Sequence, residues 1–244
     1  MAESDWAALT SGSHGALDSG QAAKGVSAAF SPPPHSGTNS FVVGVRSVGA
    51  VTGVAGFMCD VTNYNPLIDS SANQKGGRIS AAIKKYSSGF DDYAPFIALQ
   101  SGLNVQTSEA YILGLSESDP TQIMLRKGAL YGGMNPAASD RLRVSDQTFE
   151  SSEWIHLCLD VLVNPHGEVV LNVFRNDLSA NDVDSPTWAA VSGMDQFIDD
   201  SLGALTGTAP LISGMRAIFG CYFGGTAGKI ALFDQVVVGR QDTP

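Results

Sequence analysis

The chain has 244 residues, 43% hydrophobic and only 16% charged, with a net charge of −10. Such a composition supplies an ample core but not the clustered cations that a phosphate backbone requires, so no nucleic-acid partner is expected. Residues 1–20 lack the cationic start and apolar core of an export signal, and no apolar run is long enough to cross a bilayer; membrane insertion is not expected, and folding in a reducing cytoplasm is.

Residues 1–24 are small and polar apart from Trp6 and Leu9, and are expected to form an N-terminal arm ahead of a single domain over 25–244. Gly25 to Phe30 reads as a strand with Val26, Ala28 and Phe30 in phase, stopped by Pro32, Pro33 and Pro34. Phe41 to Arg46 and Val51 to Val61 follow as strands, then a polar loop from Asn63 to Gly77. Arg78 to Lys85, Tyr93 to Leu99, Ala110 to Leu115 and Gln122 to Lys127 are further β runs, and Gly132 to Arg143 is the loosest segment.

The clearest element runs from Glu153 to Asn176. Ile155, Leu157, Leu159, Val161 and Val163 alternate, so an extended chain puts them on one face and Trp154, His156, Cys158 and Asp160 on the other. The alternation resumes with Val169, Leu171 and Val173 after Asn164-Pro165-His166-Gly167, whose proline and glycine suit a tight reversal. This is a β-hairpin that needs a second sheet to cover its apolar face. Trp188 to Val191 is another short run, whereas Phe197, Ile198 and Leu202 fall at helical spacing and predict one or two helical turns over Asp195 to Leu202. Arg216 to Phe223 and Lys229 to Val238 close the chain as strands. About a dozen short strands without strand–helix alternation predict an all-β antiparallel sandwich rather than an α/β sheet.

Trp154-Ile155-His156-Leu157 opening a strand, the turn at Gly167 and the aliphatic alternation from Val169 to Phe174 resemble the concanavalin A-like, laminin G-like jelly-roll sandwiches. Ala231-Leu232-Phe233-Asp234-Gln235-Val236-Val237-Val238 is similar to the last strand of that family, and the resemblance spans roughly residues 108 to 240. In simple alternation Asp234 shares a face with Leu232, Val236 and Val238, which predicts either a bulge or a buried, hydrogen-bonded carboxylate. A looser likeness, in Asp5-Trp6-Ala7-Ala8-Leu9, Tyr111-Ile112-Leu113-Gly114-Leu115-Ser116 and Leu125-Arg126-Lys127-Gly128, is to uncharacterised tailed-bacteriophage structural proteins. It implies a virion component assembled in the host cytoplasm, present in multiple copies or as a homo-oligomer, in contact with other virion proteins.

Glycosidases on this sandwich, as the first resemblance implies, place carboxylates at alternate positions of one strand, because acid and nucleophile must flank one sugar bond. Glu3-Ser4-Asp5 and Glu117-Ser118-Asp119-Pro120 lack the third carboxylate, and Asp160 stands alone on its strand. His14, His35, His156 and His166 show no zinc-ligand spacing, and His156 near Asp160 reads as an exposed or interface histidine rather than part of a triad. Phe223 to Lys229 fails as a phosphate loop, since Phe223 occupies the first glycine position and Ile230 replaces the hydroxyl residue. Cys59, Cys158 and Cys221 lie in apolar runs without paired spacing and read as buried thiols.

No catalytic residue and no obligatory cofactor is therefore expected, and the chain reads as a non-enzymatic protein. The loop holding Asp177, Asp182 and Asp184 carries the hard oxygen ligands that calcium prefers, but it lacks the spacing and glycine of an EF-hand and reads first as a solvated acidic turn. Aromatics at strand ends such as Trp188, Tyr131 and Tyr93 are more often core or subunit-contact residues. Their flat rings could also stack on a sugar, which makes a glycan-binding, lectin-like module the alternative reading.

Overall fold

The computed structural model describes residues 6–10, 22–24, 43–47, 52–59, 68–69, 74–86, 89, 91–101, 108–118, 121–130, 141–150, 153–176, 185–199, 209–211 and 215–240. In chain order the strands are β1 (Trp6–Thr10), β2 (Ala22–Lys24), β3 (Val43–Arg46), β4 (Thr52–Cys59), β5 (Ile68–Asp69), β6 (Gln74–Lys85), β7 (Tyr93–Ser101) and β8 (Glu109–Leu115). They continue as β9 (Thr121–Ala129), β10 (Arg141–Phe149), β11 (Ile155–Val163), β12 (Val169–Asn176), β13 (Trp188–Ala190), β14 (Phe197–Asp199), β15 (Met215–Gly224) and β16 (Ile230–Arg240). No α-helix occurs among the described residues.

Two antiparallel sheets face each other. The seven-stranded sheet has the order β1-β4-β15-β7-β8-β9-β10; the nine-stranded one runs β13-β12-β11-β6-β16-β3-β2, with β14 also on β12 and β5 also on β6. This is the jelly-roll sandwich that the alternation of Val, Ile and Leu predicts, because each sheet has one apolar side to hide. Ile155, Leu157, Leu159 and Val161 of β11 and Val169, Leu171 and Val173 of β12 pack in one core with Phe57, Ile97, Leu113, Leu125 and Phe219 of the opposite sheet. The hairpin register places Leu159 opposite Val173 and Val163 opposite Val169, with Asn164 Oδ1 accepting the N–H groups of His166 and Glu168 in the turn.

The β16 register shifts between Asp234 and Val237, and Gln235 takes φ 47°. The extra residue changes the phase of the strand, so Ala231 and Phe233 and then Val236 and Val238 all reach the core, while Asp234 stays buried with Oδ1 accepting the Gln235 N–H at 2.8 Å. Both halves of the sequence expectation are met by one bulge.

Several segments differ from their sequence reading. Phe197–Asp199 is a strand, not a helical turn: it pairs with Val169–Leu171, and Asn172 Oδ1 accepts the Gln196 N–H at 2.7 Å. Three apolar residues are too short a run to separate the two periods, and pairing with β12 decides it. Arg141–Phe149 forms the edge strand β10 beside β9, although its outward residues Arg143, Asp146, Gln147 and Thr148 are exposed and hide the alternation. The polar stretch before Arg78 contributes Gln74–Gly77 to β6 and Ile68–Asp69 to β5. Within the expected arm, β1 pairs with β4 and β2 with β3. The strand expected over Gly25 to Phe30 lies outside the described residues.

Candidate functional site

The outer face of the nine-stranded sheet is built from cross-strand rows. Register places Trp188, Asn176, His156, Ala82 and Asp234 side by side on β13, β12, β11, β6 and β16. In a neighbouring row Phe174 stands opposite Cys158 and Ser80, and one row further Asn172, Asp160 and Arg78 are aligned. Residues with even numbers along β11 and β12 share this face because side chains alternate, so Trp154, just before β11, belongs to it as well. Trp154, Phe174 and Trp188 are each partly exposed.

Polar groups fix the middle of this face. Arg78 grips Asp160 through two hydrogen bonds, Nε to Oδ1 at 2.5 Å and Nη2 to Oδ2 at 2.6 Å, and the Asp160 hydrogen bond raises the arginine pKa. Cys158 Sγ lies 3.6 Å from the same carboxylate, and burial with that negative charge holds the thiol well above its ordinary value. His156 is 1% exposed, its Nδ1 is 3.3 Å from Asn176 Nδ2, and its ring meets Trp188 edge-on with centroids 4.6 Å apart. Burial pushes its pKa down to about 4, so the ring is neutral at neutral pH. Lys84 lies over the Trp154 ring, its Nζ 5.9 Å from the centroid, and burial lowers its pKa too.

The opposite outer face, on the seven-stranded sheet, has a different character. Val54, Phe96, Ala98, Ile112, Met124 and Ile218 form a second buried apolar cluster there. Arg126 is fully buried beside it, donating from Nη2 to the Ala129 carbonyl at 2.5 Å. Burial lowers its pKa to about 10, against the opposing charges of Glu117 and Tyr222. Burial, Glu117 and Asp92 raise the Tyr222 phenol, while Arg126 lowers it.

Of the sequence candidates, Trp188 stands on the aromatic face. Tyr93 does not: it is fully buried, ring-stacked on Phe223 with centroids 6.5 Å apart, and lies beneath the ammonium groups of Lys85 and Lys229. An inward position on β7 left it no open face for a sugar. Tyr131 and the calcium candidates Asp177, Asp182 and Asp184 lie outside the described residues. Among the described residues no cluster of three His, Cys, Asp or Glu side chains is arranged for a metal, and no helix is long and apolar enough to cross a membrane. His156 is buried rather than exposed, and it faces Asn176 while Asp160 is engaged by Arg78, so no triad forms. All three cysteines are free and buried. Sequence reasoning missed Arg78 as the partner of Asp160; the pair is 82 positions apart and only the β6–β11 register joins it. Trp154 and Phe174 were legible as outward-facing positions of the hairpin.

No protein-family model and no curated protein sequence matches the chain. Solved structures do. The marine PL-14 alginate lyase from Aplysia kurodai aligns with TM-score 0.52 and 12% identity over 84% of this chain and 85% of its own. The alginate lyase vAL-1 from Chlorella virus aligns with TM-score 0.45 and 12% identity over 91% and 89% of the two chains. The lectin UEA-II, complexed with galactose, aligns with TM-score 0.45 and 9% identity over 96% and 91%. Of these three only the first exceeds 0.5, and at 12% identity it speaks to the fold. The protein is an all-β antiparallel jelly-roll sandwich. The expectation of a non-enzymatic chain is corrected by the same finding, since the sandwich is shared with a polysaccharide lyase. The tailed-phage likeness gains no support from these structures.

Proposed function

We propose that this jelly roll binds carbohydrate on the outer face of the nine-stranded sheet. The observation that carries the reading is the grouping of three partly exposed rings, Trp154, Phe174 and Trp188, around the Asn176–His156 pair. Flat rings suit the CH face of a pyranose, and polar side chains beside them suit its hydroxyl oxygens. Neighbours named as a galactose-complexed lectin and as alginate lyases are in keeping with it. Titration with a panel of soluble acidic and neutral polysaccharides tests the proposal: at least one binds, and Trp188→Ala weakens it. A panel that stays silent overturns the reading. Display in several copies on a particle extends the proposal on the strength of the phage-like segments quoted above. Mass spectrometry of purified particles lacking the chain ends that extension.

A second reading, polysaccharide cleavage by β-elimination, is favoured by the partly exposed Tyr222 on the seven-stranded sheet, in a fold shared with an alginate lyase. Elimination from a uronate needs one group to take a proton and another to give one to the leaving oxygen. Tyr222, partly exposed and, like any phenol, protonated at neutral pH, fits the donor. Alginate incubated with the protein then gains the ultraviolet absorbance of a conjugated C4–C5 double bond, and Tyr222→Phe loses it. Unchanged absorbance with uronate polymers sinks this reading and leaves the binding proposal intact.

A further inference from the structure

Asn176 Oδ1 accepts the Thr187 N–H at 3.0 Å, so the amide nitrogen is the atom that faces His156 Nδ1 at 3.3 Å. An amide nitrogen brings only hydrogens, so Nδ1 must accept, and the imidazole proton resides on Nε2. That Nε2–H is buried and has no hydrogen-bond partner among the described residues, in a side chain 1% exposed. A buried donor without an acceptor carries a desolvation cost that a correctly placed oxygen removes.

The ring beside it is Trp188, partly exposed and carried on a three-residue strand that pairs with β12 through Phe174–Ala190, Arg175–Ala189 and Asn176–Trp188. Its edge-on contact at 4.6 Å covers the imidazole without supplying an oxygen. At 1% exposure the imidazole is reached by a sugar oxygen only where the indole tilts outward.

Resting on the carbohydrate-binding reading of this face, we propose that His156 is its specificity-determining residue, donating Nε2–H to an oxygen of the bound sugar. Asn176 is then a positioning residue, since it fixes the tautomer. The acceptor is a hydroxyl in a neutral glycan or a carboxylate oxygen in an acidic one, and the two sources are separated by the probe.

The full chain, labelled with nitrogen-15, is titrated with oligoalginate and separately with xylo-oligosaccharides while the imidazole resonances of His156 are followed. The binding sugar is expected to shift the Nε2 and Hε2 signals with the neutral Nε2–H tautomer retained, and His156→Phe to weaken that sugar roughly tenfold. Should the variant fail to fold, the wild-type titration decides alone. A sugar that binds and perturbs Trp188 while the His156 signals stay fixed overturns this inference and leaves the carbohydrate face standing. No binding by either sugar overturns the inference for both acceptor types, and a silent wider panel removes the face itself.

Discussion

The Tyr111 hydroxyl donates to Asp199 Oδ2 at 2.6 Å across 88 positions of sequence, joining β8 of one sheet to β14 on the other. The same carboxylate oxygen accepts Lys127 Nζ at 2.7 Å, with both side chains fully buried, and Tyr111 oxygen accepts the Leu211 N–H at 3.0 Å. A cation, an anion and a phenol thus tie the two sheets together inside the core. Removing one member of a buried pair strands the other charge, so Asp199→Asn should cost about 3–5 kcal/mol. Tyr111→Phe removes one hydrogen bond from a charged acceptor and should cost about 1.5–3 kcal/mol. Urea unfolding of the two variants checks both size and order; equal, negligible losses would show that the network adds nothing.

His156 makes stability depend on acid. Its folded pKa, about 4, lies below the ordinary value of 6.5, so the unfolded chain takes up the proton first as pH falls. Stability is undiminished above the unfolded pKa and declines as pH drops through the interval between the two values. The linked loss reaches about 3 kcal/mol at most. Denaturant midpoints from pH 7 to pH 4 should fall faster for the native chain than for His156→Phe. Parallel curves would mean that folding leaves the imidazole's proton affinity unchanged.

Gly56 and Gly220 sit opposite each other on β4 and β15, where a Cβ would come within 2.3 Å of the Phe219 carbonyl oxygen and 2.5 Å of the Ala55 carbonyl oxygen. Backbone, unlike a long side chain, has nowhere to go. Gly56→Ala and Gly220→Ala should each cost upwards of about 2 kcal/mol. Gly167, at φ +82° with open space around it, tests conformation without crowding, and Gly167→Ala should cost about 1 kcal/mol. Thermal melts that rank Gly167→Ala as the worst of the three would contradict this packing.

Burial raises the Cys158 and Cys221 thiols well above their ordinary values, and Cys59 is 4% exposed. The thiolate is the reactive form, so a disulfide-exchange reagent should leave the native chain unlabelled and modify three cysteines once urea unfolds it. Rapid labelling of the native chain would place a thiol at the surface.

The core was legible because period-two alternation is local: Ile155 to Val163 and Val169 to Val173 reveal their buried face without any partner in view. Polar edge strands broke that signal, as Arg143 and Asp146 to Thr148 did for β10, and the short apolar set around Phe197 imitated a helix until β12 captured it. The candidate site was half legible. His156, Cys158 and Asp160 fall on one face by alternation, and Trp188 was a named ring, but the Arg78–Asp160 grip and the Asn176–His156 contact depend on register between separate segments. Lys85 and Lys127, charged at inward positions of β6 and β9, also gave no local sign that Ser116 and Asp199 would meet them.

The central claim is that sugar meets the outer face of the nine-stranded sheet. It is tested most directly by tryptophan fluorescence in a Trp6→Phe background, where Trp154 and Trp188 are the remaining tryptophans. Titration with a polysaccharide that binds should change the emission saturably, and Trp188→Phe should remove most of the change. Binding registered by calorimetry with no change in emission would put the sugar elsewhere and contradict the account.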